Sequence, residues 1–174
     1  MAGRACPGAR IALDLVLSPA GEWDWPGIWE VFHAVVSTGD TYPYPPDTPE
    51  GQAKTIWMAP SHVVFVAKLG DDVVATAYHR PNMYGLGDHI ANAGWMVHPD
   101  HQGRGIGRRF AEYVIEQARE TGFKGMQFNA VVASNTGAVG LWQSLGFEIV
   151  GTVPDAFRHA RLGLTPVHVM YRGL

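Results

Sequence analysis

Gln102-Gly103-Arg104-Gly105-Ile106-Gly107 is the stretch on which the reading of this chain turns. It follows an apolar run that ends at Val97. It also opens a helical pattern with Ile106, Phe110, Ala111, Val114, Ile115 and Ala118 on one face. Arg108, Glu112, Glu116 and Arg119 on the opposite face form i,i+4 and i,i+3 pairs suited to solvent, and Gly122 ends the helix. Glycines let the backbone approach a ligand closely and turn its N–H groups inward. A helix N-terminus adds unpaired N–H donors and about half a positive charge, so the loop favours phosphate oxygens. The plainer reading is a glycine-rich turn that only connects strand to helix.

Two familiar phosphate loops do not fit. A Walker loop needs Lys-Ser/Thr after its last glycine, where Arg108-Arg109 stand. The dinucleotide fingerprint, counted from Gly103, needs its third glycine where Arg108 lies. Both also belong early in a parallel sheet, whereas a hairpin precedes this loop.

Outward from the loop, the order of elements is that of one mixed α/β domain spanning residues 1–174. Leu13, Leu15 and Leu17 alternate as a half-buried strand; Arg4 and Arg10 ahead of this apolar stretch faintly resemble a signal peptide, interrupted by Asp14. Asp24 caps an expected helix that tolerates Pro26 in its first turn, carries Ile28, Trp29, Phe32, Val35 and Val36 at helical spacing, and stops at Gly39. Thr41 to Pro49 is too proline-rich for helix or central strand and reads as a stiff loop. Thr48, Pro49 and Glu50 read as the start of a second helix reaching about Met58. Val63–Lys68 and Val73–His79 form a hairpin through Gly70-Asp71-Asp72. Further strands are expected at His89–Val97, Met126–Val132, Phe147–Val153 and Val167–Tyr171, with a helix over Thr136–Leu145.

The loop resembles the acetyl-CoA-binding motif of the GCN5-related N-acetyltransferase (GNAT) family, Q/R-x-x-G-x-G/A, with Gln102, Gly105 and Gly107 at its fixed positions. Asn135, Ala138 and Leu141-Trp142-Gln143-Ser144-Leu145-Gly146-Phe147 resemble the family's second block. The resemblance implies a central mixed, twisted sheet of six to seven strands, splayed into a V between the fourth and fifth, with about four flanking helices. It implies acetyl-CoA as cosubstrate, lying between Asn92–Val97 and Met126–Val131. Its pantetheine would pair with backbone near Met96 and Val97. Its pyrophosphate would sit on the N–H groups of Gly103, Arg104, Gly105, Ile106, Gly107 and Arg108, beside Gln102, Asn135, Ala138 and Trp142. An amine then attacks the thioester directly, so Cys6 has no part as a nucleophile. Asn135 also stands where a helix N-cap would.

One position departs from the family pattern. Trp142 stands where the usual tyrosine protonates the departing thiolate, and indole cannot serve as that acid. A thiol pKa of about 8.5 lets the thiolate leave unprotonated. Otherwise Tyr171, Tyr113 or a water substitutes, and Trp142 packs on pantetheine or in the core. His89-Ile90-Ala91-Asn92-Ala93-Gly94 and Phe128-Asn129-Ala130-Val131 resemble fungal N-acetyltransferases acting on proline analogues such as azetidine-2-carboxylate. There, asparagines on the two splayed strands hold the acceptor's carboxylate, which assigns that role to Asn92 and Asn129. Asparagine inside an apolar strand needs a partner in any case, either a ligand or nearby backbone at a bulge.

Composition bounds the rest. The 174 residues are 47% apolar and 17% charged, with net charge −3, which gives no electrostatic footprint for nucleic acid. No apolar run reaches membrane-span length, and the single cysteine suits a reducing cytoplasm. His98 and His101 flank Pro99, which prevents a helical metal face, and no carboxylate or thiol cluster accompanies them, so no metal is expected. His89, His159 and His168 stand as bases acting through water or as surface residues. The expected acceptor is a small amine, an amino acid or cyclic imino acid, because the Tyr42–Pro49 loop, with Tyr44 and nearby Trp57, is placed to close the acceptor side. A protein or peptide N-acetyltransferase and a non-catalytic CoA-binding regulatory module are the alternatives. Homodimers are frequent in the family, and a homodimer is expected.

Overall fold

A computed structural model of the chain describes residues 14–174; Arg4, Cys6, Arg10 and the start of the first expected strand, with Leu13, lie outside them. The described chain forms β1 (Leu15–Pro19), α1 (Trp25–Val36), α2 (Glu50–Trp57), β2 (Val63–Leu69), β3 (Asp72–Pro81), β4 (Ile90–Val97), α3 (Ile106–Glu120), β5 (Gly125–Val132), α4 (Thr136–Ser144), β6 (Glu148–His159) and β7 (Gly163–Gly173). One seven-stranded sheet has the order β1-β2-β3-β4-β5-β7-β6. Its first four strands are an antiparallel meander, β5 joins β4 in parallel, and the β6–β7 hairpin completes the far edge. This is the mixed sheet with four helices that the family resemblance implies.

Strand alternation assigns the helices to faces. Val64 and Val66 of β2 join α1 and α2 in one core, with Ile28, Phe32 and Trp57 fully buried. Phe65 and Ala67 point the other way, against Ile106, Phe110 and Val114 of α3. Further along that face Ala111, Ile115 and Ala118 of α3 meet Met126, Phe128, Trp142 and Met170.

Two expectations need correction. Asp24 does not cap α1 with its side chain; the carboxylate accepts the Gly21 N–H at 2.8 Å and pairs with Lys68 Nζ at 2.5 Å, tying the helix start to β2. The last two strands run far beyond Phe147–Val153 and Val167–Tyr171. Pro154 and Asp155, which read as a strand end, instead form an irregularity, with Asp155 at φ 53° and the register shifting between Val153 and Phe157. Among the described residues no helix is long and apolar enough to cross a membrane.

His79 on β3 is 1% exposed, tilted against Phe65 and edge-on to Phe123 at 5.2 and 5.5 Å between ring centroids. Neither ring nitrogen finds a partner in another described residue. Desolvation by burial lowers its pKa to about 4. The folded state therefore resists protonation that the unfolded chain accepts near pH 6.5. Its contribution is complete above pH 6.5 and is lost as pH falls from there toward 4, by about 3 kcal/mol at most. Urea melts should show His79→Leu losing less stability than the parent across that window; parallel curves would contradict the assignment.

Candidate active site

The fourth and fifth strands pair only at Ile90–Gly125, Ala91–Met126 and Asn92–Gln127. Beyond those pairs they separate, and a cleft of about 570 Å³ opens between Ala93–Val97 and Phe128–Val132. Its far wall is the start of α4, and its floor at one end is the turn before α3. The Trp95 carbonyl faces this opening, because it accepts the Tyr42 hydroxyl at 2.8 Å across the cleft.

The turn before α3 has the backbone that its glycines suggest. Gly103 and Gly105 adopt φ 72° and 79°, and no atom lies within 4 Å of where their Cβ atoms would be. Gly105 directly precedes the first turn of α3, whose leading N–H groups have no side-chain cap. Ile106 is buried in the core and anchors the turn. Gln102 Nε2 donates weakly to the Val97 carbonyl at 3.4 Å. The arginine heads are turned to neighbours: Arg104 reaches His101 Nδ1 at 3.0 Å, and Arg108 donates to Ser144 Oγ at 2.5 Å. The backbone donors of this turn remain for a ligand. Asn135 Oδ1 accepts the Ala138 N–H at 3.2 Å, so its side chain caps α4 while the residue lines the cleft.

Asn92 and Asn129 both line the cleft but differ in setting. Asn92 is buried and donates through Nδ2 to the Gln127 carbonyl at 3.0 Å, at the last pair before the strands part. Asn129 is exposed, because the β5–β7 register shifts between Phe128 and Val131. It bridges Gln127 Nε2 and Asn82 Oδ1 at 2.9 and 2.8 Å. Tyr171 is not brought to the cleft; a Cβ on Gly125, at the paired end of β5, would meet its hydroxyl at 2.5 Å. Tyr113 packs edge-on to Phe65, also away from the cleft. His89, His159 and His168 are absent from its walls. His168 Nδ1 contacts Thr152 Oγ1, and His159 Nδ1 accepts backbone N–H groups of Arg161 and Leu162.

Tyr42, from the loop expected to close this side, completes the acceptor end together with two residues that the sequence did not single out, Tyr78 and Arg80. Tyr44 stacks on Phe32 and Tyr42 at 5.6 and 5.7 Å, and it lines the cleft with Tyr78 and Arg80. Burial raises the pKa of all three tyrosines, most strongly for Tyr42 and Tyr44, so they stay protonated near neutrality. Gly94 makes room for this cluster, since a Cβ there would lie 2.9 Å from the Tyr78 ring and 3.2 Å from the Tyr42 hydroxyl. The tyrosine-proline run was a signal for the first residue; nothing in the sequence marked Arg80. No carboxylate among the described residues pairs with Arg80, and no carboxylate lines the cleft.

Residues 29–147 match the Acetyltransferase (GNAT) family model. The chain belongs to this family. A GCN5-related N-acetyltransferase from Kribbella flavida superposes with a TM-score of 0.86 at 44% identity, covering 92% of this chain and 98% of that one. Over 81 residues the chain is 41% identical to N-acetyltransferase aca1 of Schizosaccharomyces pombe, and over 67 residues 36% identical to the L-amino acid N-acyltransferase MnaT of Escherichia coli. Those matches span 47% and 38% of this chain but only 39% and 38% of the two relatives.

Within this family Trp142 is a departure with a clear structural setting. It is 8% exposed, with ring centroids 4.8 Å from Trp95, 4.7 Å from Phe128 and 5.9 Å from Phe147. It is both cleft wall and core. The Trp95 indole N–H beside it is buried without a partner among the described residues. Among the described residues no group of three histidines, cysteines or acids could hold a metal.

The Asn135 cap yields a direct expectation. Asn135→Ala should lower unfolding free energy by about 1 kcal/mol and Asn135→Asp by much less, measured by denaturant titration. Equal losses would remove the capping role.

Proposed function

We propose that this chain is an acetyl-CoA-dependent N-acetyltransferase acting on the amino group of a small amino acid or cyclic imino acid. The observation that carries the reading is the cleft itself: a GNAT splay with backbone donors at one end and Arg80 with no carboxylate partner at the other. Acetyl-CoA, when bound, supplies an acetyl group activated as a thioester, which an amine takes up without an acyl-enzyme. The left-handed Gly103 and Gly105 and the free N–H groups through Arg108 form a cradle for its pyrophosphate. Met96 is spent on Thr76 of β3, but the backbone of Trp95 and Val97 faces the gap without a β5 partner, which supports pantetheine pairing there.

Arg80 suits a planar carboxylate, which a guanidinium binds with two parallel hydrogen bonds. Asn92 and Asn129 lie beside it at the acceptor end, as the fungal resemblance implies, and MnaT's name supports an amino-acid acceptor. The loop carrying Tyr42 and Tyr44 walls this end, which favours a small molecule over a peptide that needs an open groove. The homodimer implied by the family has a residue-level basis in the edge strand β6, where Ile149, Val150 and Val153 are exposed.

CoA-thiol release from acetyl-CoA with a panel of amino acids, amines and peptides tests the reading; binding of acetyl-CoA with no turnover on any acceptor would favour the regulatory-module alternative. The two ends should separate in variants. Gly105→Glu places charge and a Cβ in the cradle and should weaken acetyl-CoA binding at least 100-fold in calorimetry, with the fold intact. Arg80→Gln and Asn129→Ala should raise acceptor KM about 10- to 100-fold and about 10-fold, with acetyl-CoA affinity unchanged, because a hydrogen bond to a charged group contributes about 1.5–3 kcal/mol. Unaltered acceptor kinetics in both variants would contradict the carboxylate site.

A further inference from the structure

An amino-acid acceptor enters the cleft as an ammonium ion, and it must lose a proton before its nitrogen can attack. The cleft holds no group suited to take it: no carboxylate lines it, its tyrosines are held protonated, and Arg80 is a cation. Behind the acceptor end lies a second groove of about 360 Å³, and Tyr44, Tyr78 and Arg80 line both cavities. The remaining walls of this groove are Ile56, Ser61, His62 and Tyr84, with Ser61 and Tyr84 exposed at its rim.

We propose that His62 is the proton acceptor for the substrate ammonium, reached through water in the groove that Tyr78 and Arg80 divide from the cleft. Three features of its geometry fit the role. His62 lies flat on Tyr78, with 4.1 Å between ring centroids and 9° between planes, so its position is fixed against the dividing wall. Its Nδ1 is 3.0 Å from the Trp57 carbonyl, which can only accept, so Nδ1 carries the hydrogen and Nε2 keeps its lone pair. Trp57 is itself fully buried and held by Thr76 at 2.9 Å, so the carbonyl that sets this tautomer belongs to a rigid core.

The charges around the ring keep it neutral and ready. The groups facing it are Arg80 and Tyr78 from β3, Tyr44 from the loop before α2, and the Trp57 carbonyl; the groove has no carboxylate. Burial and, less strongly, Arg80 lower its pKa, against an opposing effect of the carbonyl. The balance is simple. One ammonium N–H bond breaks and, through water, an Nε2–H bond forms. The neutral amine attacks the thioester carbon, the C–S bond breaks, and the thiolate leaves and takes up the nitrogen's second proton. The imidazolium returns its own proton to solvent at the Ser61–Tyr84 rim. This assignment rests on the N-acetylation reading above.

The test is the pH dependence of kcat/KM for the parent and His62→Asn, whose amide can keep the bond to the Trp57 carbonyl. At pH 7 the variant should lose about 100-fold, the usual scale of general-base assistance. The deficit should shrink to a few-fold near pH 9.5, where the acceptor amine ionises unaided. Acetyl-CoA affinity and melting temperature should hold, and imidazole should restore activity to His62→Gly. An unchanged pH profile in His62→Asn, or an equal loss at every pH that imidazole does not rescue, would overturn the assignment while leaving the acetyltransferase reading intact. A parent enzyme that releases no CoA with any amine would overturn both.

Discussion

Everything that this molecule offers to a ligand follows from the point at which β4 and β5 stop pairing. After Asn92 and Gln127 the strands part, and the aromatic wedge of Trp95, Phe128 and Trp142 fills one side of the gap. Backbone polar groups inside a sheet are normally satisfied by the neighbouring strand. Here the neighbour is gone, and the strand is left with donors and acceptors that a ligand can use. The Asn92 amide bond to the Gln127 carbonyl closes the paired part at its last rung and helps to fix where the separation begins.

The acceptor end is built from pieces distant in sequence. The loop after α1 reaches β4 through the Tyr42 bond to the Trp95 carbonyl. The tip of the β6–β7 hairpin supports the start of the same loop, with Ala160 N–H donating to the Gly39 carbonyl at 3.0 Å and Arg161 pairing with Asp40 at 2.5 Å. The long hairpin thus has a task beyond extending the sheet: it braces the segment that carries Tyr42 and Tyr44.

How far the sequence could be read depended on whether a feature is local. The glycine turn, the amphipathic α3 and the β2–β3 hairpin are set by neighbours in the chain, and their glycines and spacings state them openly. The length of β6 and β7 was hidden because Pro154 and Asp155 read as an ending, while pairing with a long partner carries the strand through them. Arg80 and Tyr78 were not legible, since their meaning lies in what β4 and the Tyr42 loop bring against them. Asn129 stands inside an apolar run in sequence, but the β5–β7 register shift turns it to solvent, where Asn82 and Gln127 partner it. Tyr171 lies on β7, no residue of which lines the cleft, and its hydroxyl sits at the paired end of β5.

The central claim is that the unpaired stretch of β4 and the glycine turn together form one cosubstrate site. Amide hydrogen exchange with and without acetyl-CoA addresses this residue by residue. Protection should rise at Val97 and Gly103 through Arg108, with little change in β1 or β2. Protection confined to other segments, or none at saturating acetyl-CoA, would contradict the account.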